Sequence, residues 1–148
     1  MHKNVLSNIY LKEDPEIVTI NSHGITNLDN HVKLFNYSGF TQNREQNAGV
    51  AILVKSSIPH TFHSNTVNQN IMAVSLFLNQ VKITIVTYYR PPRQNALPLV
   101  DLKKFLDYGN PTLILADANI KNTFYGHTTT NEMGMLLERF NQINNVHF

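Results

Sequence analysis

The chain has 148 residues, 42% hydrophobic and 15% charged, which suits one domain with a sizeable core and a surface made polar by Asn, Thr and Ser more than by charge. A net charge of +2 and a pI near 8.9 permit a polyanionic partner without arguing for one. The lack of cysteine excludes disulfides and thiolate metal sites; no apolar run approaches the ~18 residues of a membrane span, and Met1 to Leu6 do not read as a signal peptide.

Val5, Leu6, Ile9 and Tyr10 recur at helical spacing and predict a short helix at about 2–12, stopped by Glu13-Asp14-Pro15. Ile17, Val18 and Ile20 predict a strand ending at Asn21-Ser22-His23-Gly24. Val32 to Phe40 reads as an extended segment whose aromatics belong to the core. Gly49 to Lys55 is a buried strand, stopped by Ser56, Ser57 and Pro59. Ile71–Leu78 and Val81–Tyr88 predict a hairpin, because Asn79 tolerates the positive φ of a two-residue turn. After an irregular Arg90-Pro-Pro-Arg93, the residues Leu99, Leu102, Phe105 and Leu106 form one face of a helix ended by Gly109. A buried strand at 112–117 and a long exit loop at 118–130 come next; loops of that length are often functional. Asn131 reads as the N-cap of a helix that carries Met133, Leu136, Leu137 and Phe140 on one face. Val146-His147-Phe148 reads as the start of a further strand. Hairpins mixed with strand–helix alternation predict α/β (α+β) layering in one domain over 1–148.

Thr112-Leu-Ile-Leu-Ala-Asp-Ala-Asn119 carries the most chemistry. Asp117 and Asn119 follow an apolar strand and share a face, because side chains alternate along an extended chain. Ligands of open α/β sheets bind outside the carboxyl ends of the strands. A carboxylate and an amide aimed there can orient a water or hold a phosphate oxygen. The bland alternative is an Asx turn, which the same residues favour.

Four segments in order resemble the endonuclease/exonuclease/phosphatase domain, in the version carried by arthropod non-LTR retrotransposons (jockey-like mobile elements). Asp14-Pro-Glu-Ile-Val-Thr-Ile-Asn-Ser22 resembles the strand that usually ends in Gln-Glu-Thr. Ala48-Gly-Val-Ala-Ile-Leu-Val-Lys-Ser-Ser-Ile-Pro59 resembles the Gly-Gly-Val-Ala-Ile strand, and Thr87-Tyr-Tyr-Arg-Pro-Pro-Arg93 the Tyr-x-Pro-Pro element. Leu113-Ile-Leu-Ala-Asp-Ala-Asn119, followed by Phe124-Tyr-Gly126 and Asn131-Glu-Met-Gly134, resembles the Gly-Asp-Phe-Asn element and the helix after it. The resemblance spans roughly residues 5–145. It implies a sandwich of two sheets flanked by helices, and hydrolysis of DNA phosphodiesters assisted by Mg2+ or Mn2+. It also implies a workplace inside the cell, and in the nucleus if the domain is functional.

Carried over residue by residue, Asp117 matches the acid that positions the attacking water, and Asn119 and Tyr89 match the phosphate contacts. The metal-holding Glu falls on Ser22, whose neutral hydroxyl is a poor ligand for a hard cation. The Gly before the acid is Ala116. The family's opening strand, its later Asp and its Ser-Asp-His have no counterpart in these residues, so the resemblance implies a domain incomplete at both ends and catalytically impaired. Arg90, Arg93 and Lys121 are candidate contacts to DNA phosphates. His60 and His63 lack a third ligand and are expected to be ordinary surface histidines. A nucleophile reading of Ser22-His23 with Asp14 fails, since a triad is a matter of geometry and not of adjacency. Beside the nuclease stand two other readings: a noncatalytic nucleic-acid- or protein-binding remnant, and a fragment with no function.

Overall fold

The structure is a computed structural model and describes residues 12–21, 35–42, 49–63, 66–68, 70–92 and 96–147. Seven strands run in chain order: β1 (Ile17–Asn21), β2 (Tyr37–Gln42), β3 (Val50–Lys55), β4 (His60–His63), β5 (Ile71–Leu78), β6 (Val81–Tyr89) and β7 (Thr112–Asp117). Helix α1 (Leu99–Leu106) precedes β7, and a 3-10 turn (Thr123–Tyr125) and helix α2 (Glu132–Asn144) follow it. The helix expected at 2–12 lies almost wholly outside the described residues.

The strands form two sheets, ordered β1-β3-β2 and β4-β5-β6-β7. All pairs are antiparallel except β6–β7, which is parallel. That one parallel pair needs a crossover, and the segment holding α1 supplies it. The hairpin forms in the expected register, with Leu78 opposite Val81. Asn79 and Gln80 both take positive φ, at 48° and 69°, as a two-residue turn matching strand twist requires.

Strand alternation sends β6 into two cores. Ile85 and Tyr89 join Val50, Ile52, Val54, Met72 and Val74 between the sheets. Val86 and Tyr88 join Leu102, Phe105 and Leu137 between the second sheet and the helices. The result is a sandwich of two sheets with helices on its outer face, the fold expected from the sequence. Full burial of a side chain the size of Phe105 or Leu102 contributes about 1.5–3 kcal/mol, enough to dock a helix as short as α1. The buried Asp101 carboxylate adds a polar tie, accepting from the backbone N–H groups of Val67 and Asn68 at 2.9 and 2.7 Å. Among the described residues no helix is long and apolar enough to cross a membrane.

Several expectations need correction. β7 reads as a buried strand, but among the described residues β6 is its one neighbour, and Leu113 and Leu115 are 51% and 39% exposed. An apolar run reports strand-forming tendency, not whether both faces are covered. Leu136, assigned to the buried face of α2, is 40% exposed, whereas Leu137 is buried. Val146 and His147 extend no strand; Asn145 at φ 53° ends α2 and they follow irregularly. His60 and His63 do not trail a strand on the surface. They bound β4, which pairs with β5 through His60↔Leu76 and His63↔Ala73.

His63 is half-buried. Its Nε2 shares a hydrogen bond of 2.8 Å with the buried Ser75 hydroxyl, and its ring packs 5.0 Å from that of Tyr108. Burial, with Lys82 and Lys104 nearby, pushes its pKa below the ordinary 6.5. The unfolded chain therefore takes up this proton first as the pH falls. The contribution is full above pH 6.5 and declines below it. Denaturant titrations at about pH 7.5 and 5.5 are expected to show a smaller acid-induced loss of stability in His63→Gln than in the parent chain. An equal loss in both would remove His63 from the pH response.

Candidate active site at the carboxyl ends of β6 and β7

β6 and β7 run parallel and end together, with Tyr89 in register with Asp117. Arg90 N donates to Asp117 O at 2.9 Å and so carries the ladder one residue past β6. Just beyond, the two exits clasp each other. Arg90 Nη1 donates to Asn119 O at 2.9 Å and to Ala118 O at 3.4 Å, and Asn119 Nδ2 donates back to Arg90 O at 3.0 Å. Arg90 is 6% exposed, and its Nε has no protein partner. A guanidinium expected on a DNA-facing rim thus lies under that rim as its brace.

Asn119 sits at φ 46°, in the left-handed region that Asn tolerates better than most residues. Its N–H reaches Asp117 Oδ1 at 3.3 Å, a long Asx turn. The bland reading of this motif and its chemical reading are therefore compatible. One carboxylate oxygen steadies the turn while the side chain stays exposed.

The exit loop is closed on itself. Asn131 N donates to Lys121 O at 2.9 Å, and Asn131 Oδ1 caps α2 by accepting from Gly134 N at 2.8 Å. Asn122, 1% exposed, donates to Gly134 O and Glu138 Oε2, both at 2.9 Å, and accepts from Phe124 N at 2.7 Å. Gly126 at φ 85° ends the 3-10 turn, a conformation that costs glycine little.

This frame borders an open cavity of about 880 Å³. Leu102, Ile114 and Leu137 are among its apolar lining, and Tyr88 and Tyr125 contribute phenol rings. Asp117, Asn119, Lys121 and His127 supply polar groups. Burial pushes the Tyr88 phenol well above its usual range, so it stays a neutral hydrogen-bonding group. Tyr89, the expected phosphate tyrosine, neighbours Asp117 but points into the core between the sheets at 8% exposure, and Tyr88 lines the cavity. Strand alternation separates these adjacent tyrosines, and the Tyr-x-Pro-Pro pattern alone did not signal the second. Lys121 is exposed among the cavity residues.

Ser22 and Arg93 lie outside the described residues. The end of β1 is in place: Thr87 Oγ1 donates to Asn21 Oδ1 at 2.8 Å, joining the first sheet to β6 two residues before Tyr89. Among the described residues no group of three or more His, Asp or Glu side chains could hold a metal. Among the described residues Asp117 is the one carboxylate lining the cavity; a divalent magnesium or manganese ion wants several hard oxygen ligands, more than these residues supply by themselves.

No protein-family model and no curated protein matches the chain. Solved structures do. The endonuclease domain of TRAS1, a telomere-specific non-LTR retrotransposon, superposes with a TM-score of 0.78 at 18% identity, covering 96% of this chain and 64% of that one. The AP endonuclease LMAP from Leishmania major gives 0.68 at 12% identity, covering 97% and 62%. TDP2 from Caenorhabditis elegans gives 0.55 at 14%, covering 88% and 45%. The chain shares the fold of these structures, the sandwich of two sheets flanked by helices. The chain spans less than two thirds of the length of these structures.

The fit between the loop and α2 is open to a direct test. A Cβ on Gly134 would lie 2.0 Å from Lys121 O, a backbone atom. Overpacking typically costs about 1–3 kcal/mol, and so short an approach to backbone belongs in the upper part of that range, about 2–3 kcal/mol, against the roughly 1 kcal/mol that alanine gains over glycine inside a helix. Gly134→Ala is expected to lower the unfolding free energy by about 1–2 kcal/mol in a denaturant titration. An unchanged or higher midpoint would mean that α2 does not press on the loop.

Proposed function

We propose that this chain is a nuclease-type domain of the mobile-element lineage, that it engages the phosphodiester backbone of DNA at the rim of β6 and β7, and that its catalytic power is impaired. The observation that carries this reading is the clasp. It sets an exposed carboxylate (Asp117) and an amide (Asn119) at the carboxyl ends of two parallel strands, where such sheets bind ligands. In this reading Asp117 orients an attacking water and Asn119 contacts a phosphate oxygen. Tyr89, in register with Asp117 and packed between the sheets, serves the core in place of a phosphate. Lys121 contributes a phosphate contact from the loop. Arg90 acts as a positioning residue, and its fixed positive charge favours an anion above it. Arg93 is proposed as a second phosphate contact.

The superposition on TRAS1 supports this choice among the chemistries that one fold can host. A zebrafish (D. rerio) TDP2 structure, described as complexed with a single strand DNA product, gives a TM-score of 0.54 at 12% identity, covering 86% of this chain and 58% of that one. It supports DNA as the partner. The reading of impairment rests on Ser22, a neutral hydroxyl at the position where the resemblance places the metal-holding Glu.

Supercoiled plasmid with magnesium or manganese, and a gel shift on short DNA at low salt, test this reading together. The parent chain is expected to nick no faster than Asp117→Ala. It is expected to retard the DNA in a salt-sensitive way, with Lys121→Ala lowering the log–log salt slope by about one. Nicking above the Asp117→Ala control would overturn the impairment, and no retardation at low salt would overturn the DNA-binding reading.

A further inference from the structure

Phe124 is an aromatic ring carried on a turn that is fixed from several sides. Its N–H donates to Asn122 Oδ1 at 2.7 Å, and Asn122 is itself buried and tied to α2. Tyr125 N and His127 N both donate to Asn122 O at 3.1 Å, and Thr123 N donates to Thr130 Oγ1 at 3.1 Å. The next residue, Tyr125, turns inward. It packs against the helix-side core, and its hydroxyl accepts from Asn141 Nδ2 at 2.9 Å. Phe124 turns outward, 69% exposed, with its ring 5.3 Å from that of Tyr125 and inclined to it by 86°. This one edge-to-face contact sets the direction of the ring and leaves most of it uncovered. An aromatic side chain held in this way loses little entropy on meeting a ligand.

The surroundings of this ring decide which ligand suits it. Lys121 and His127, on either side of it in the chain, line the cavity together with Tyr125, Asp117 and Asn119. Phe124 therefore stands at the lip of the same site. From Lys121 to Thr130 the other exposed residues are one lysine, one histidine, one glycine and four threonines. A protein partner wants a contiguous apolar patch inside a polar rim, whereas this loop offers a single ring among polar and basic groups. One nucleobase covers one ring, and the phosphates beside it suit the lysine and the hydroxyls. We propose that Phe124 is a stacking platform for an unpaired nucleobase, on a strand whose backbone lies along Asp117, Asn119 and Lys121. The inference rests on the DNA reading above and adds a substrate class to it, single-stranded or locally unpaired DNA in preference to intact duplex. Bases in a duplex are already stacked on one another, so bringing one onto Phe124 there costs unstacking and unpairing.

The chain has no tryptophan, so Phe124→Trp carries a single indole whose emission reports stacking directly. A short single-stranded oligonucleotide is expected to quench that emission on binding, and the same sequence as a blunt duplex to leave it nearly unchanged. Phe124→Leu keeps an apolar side chain and removes the π face. It is expected to weaken single-strand binding by about tenfold and duplex binding by about twofold at most. The log–log salt slope is expected to stay as in the parent chain, because no phosphate contact is lost. Urea midpoints of both variants are expected to match the parent, since the ring is exposed. Single-strand binding that Phe124→Leu leaves unchanged, or a bound strand that leaves the indole emission unmoved, would overturn the stacking role and leave the DNA reading standing. Equal losses on single strand and duplex together with a lowered midpoint would also overturn it, because the ring would then support the turn alone. No retardation of either DNA at low salt would overturn the DNA reading and this inference with it.

Discussion

Every geometric feature of the candidate site passes through the reciprocal clasp between Arg90 and Asn119. Two parallel strands end side by side, and their exits would diverge without a tie. Arg90 supplies it by donating to the loop's carbonyls, and Asn119 returns a hydrogen bond to the Arg90 carbonyl. Hydrogen bonds to a charged group contribute about 1.5–3 kcal/mol, more than neutral ones. They are worth that here because the guanidinium is buried. The cost is a desolvated charge with an unpartnered Nε. That cost is borne where the chain must hold Asp117 and Asn119 in one arrangement, a pattern common at functional sites.

The loop after the clasp is long but not loose. Asn131 closes it from one side while capping α2, Asn122 ties it to the helix from within, and Gly134 lets the helix approach its backbone. Two asparagines and one glycine thereby turn an irregular connection into a fixed wall of the cavity. Precise placement of groups against a ligand requires such support from behind.

Much of this was legible in the order of residues. The two-residue turn at Asn79-Gln80, the N-cap at Asn131 and the strand running into Asp117 are local signals, and local physics decides them. The adjacent ends of β6 and β7, with Asp117 and Asn119 beside them, followed from recognising four segments in order, not from any one of them, while Tyr89 faces the core between the sheets. What the residues did not disclose is which way a side chain faces once neighbours compete for it. Arg90 reads as an outward-facing phosphate contact, since arginine is seldom buried, yet nearby carbonyls draw it inward. Leu113 and Leu115 read as core, because apolar strands usually have two covered faces, yet among the described residues β7 has a neighbour on one side alone. His63 reads as surface, and its place in β4 depends on a pairing with β5 that has no short-range signature.

The central claim is that a phosphodiester backbone meets this chain at the carboxyl ends of β6 and β7. Amide chemical shifts during titration with a short DNA duplex at low salt test it most directly, because they locate contact without requiring turnover. The account expects the largest changes at Arg90, Asp117, Asn119, Lys121 and His127, with the β2 and β4 amides unmoved. Changes centred on β2 or β4, or no changes at the rim, would contradict it.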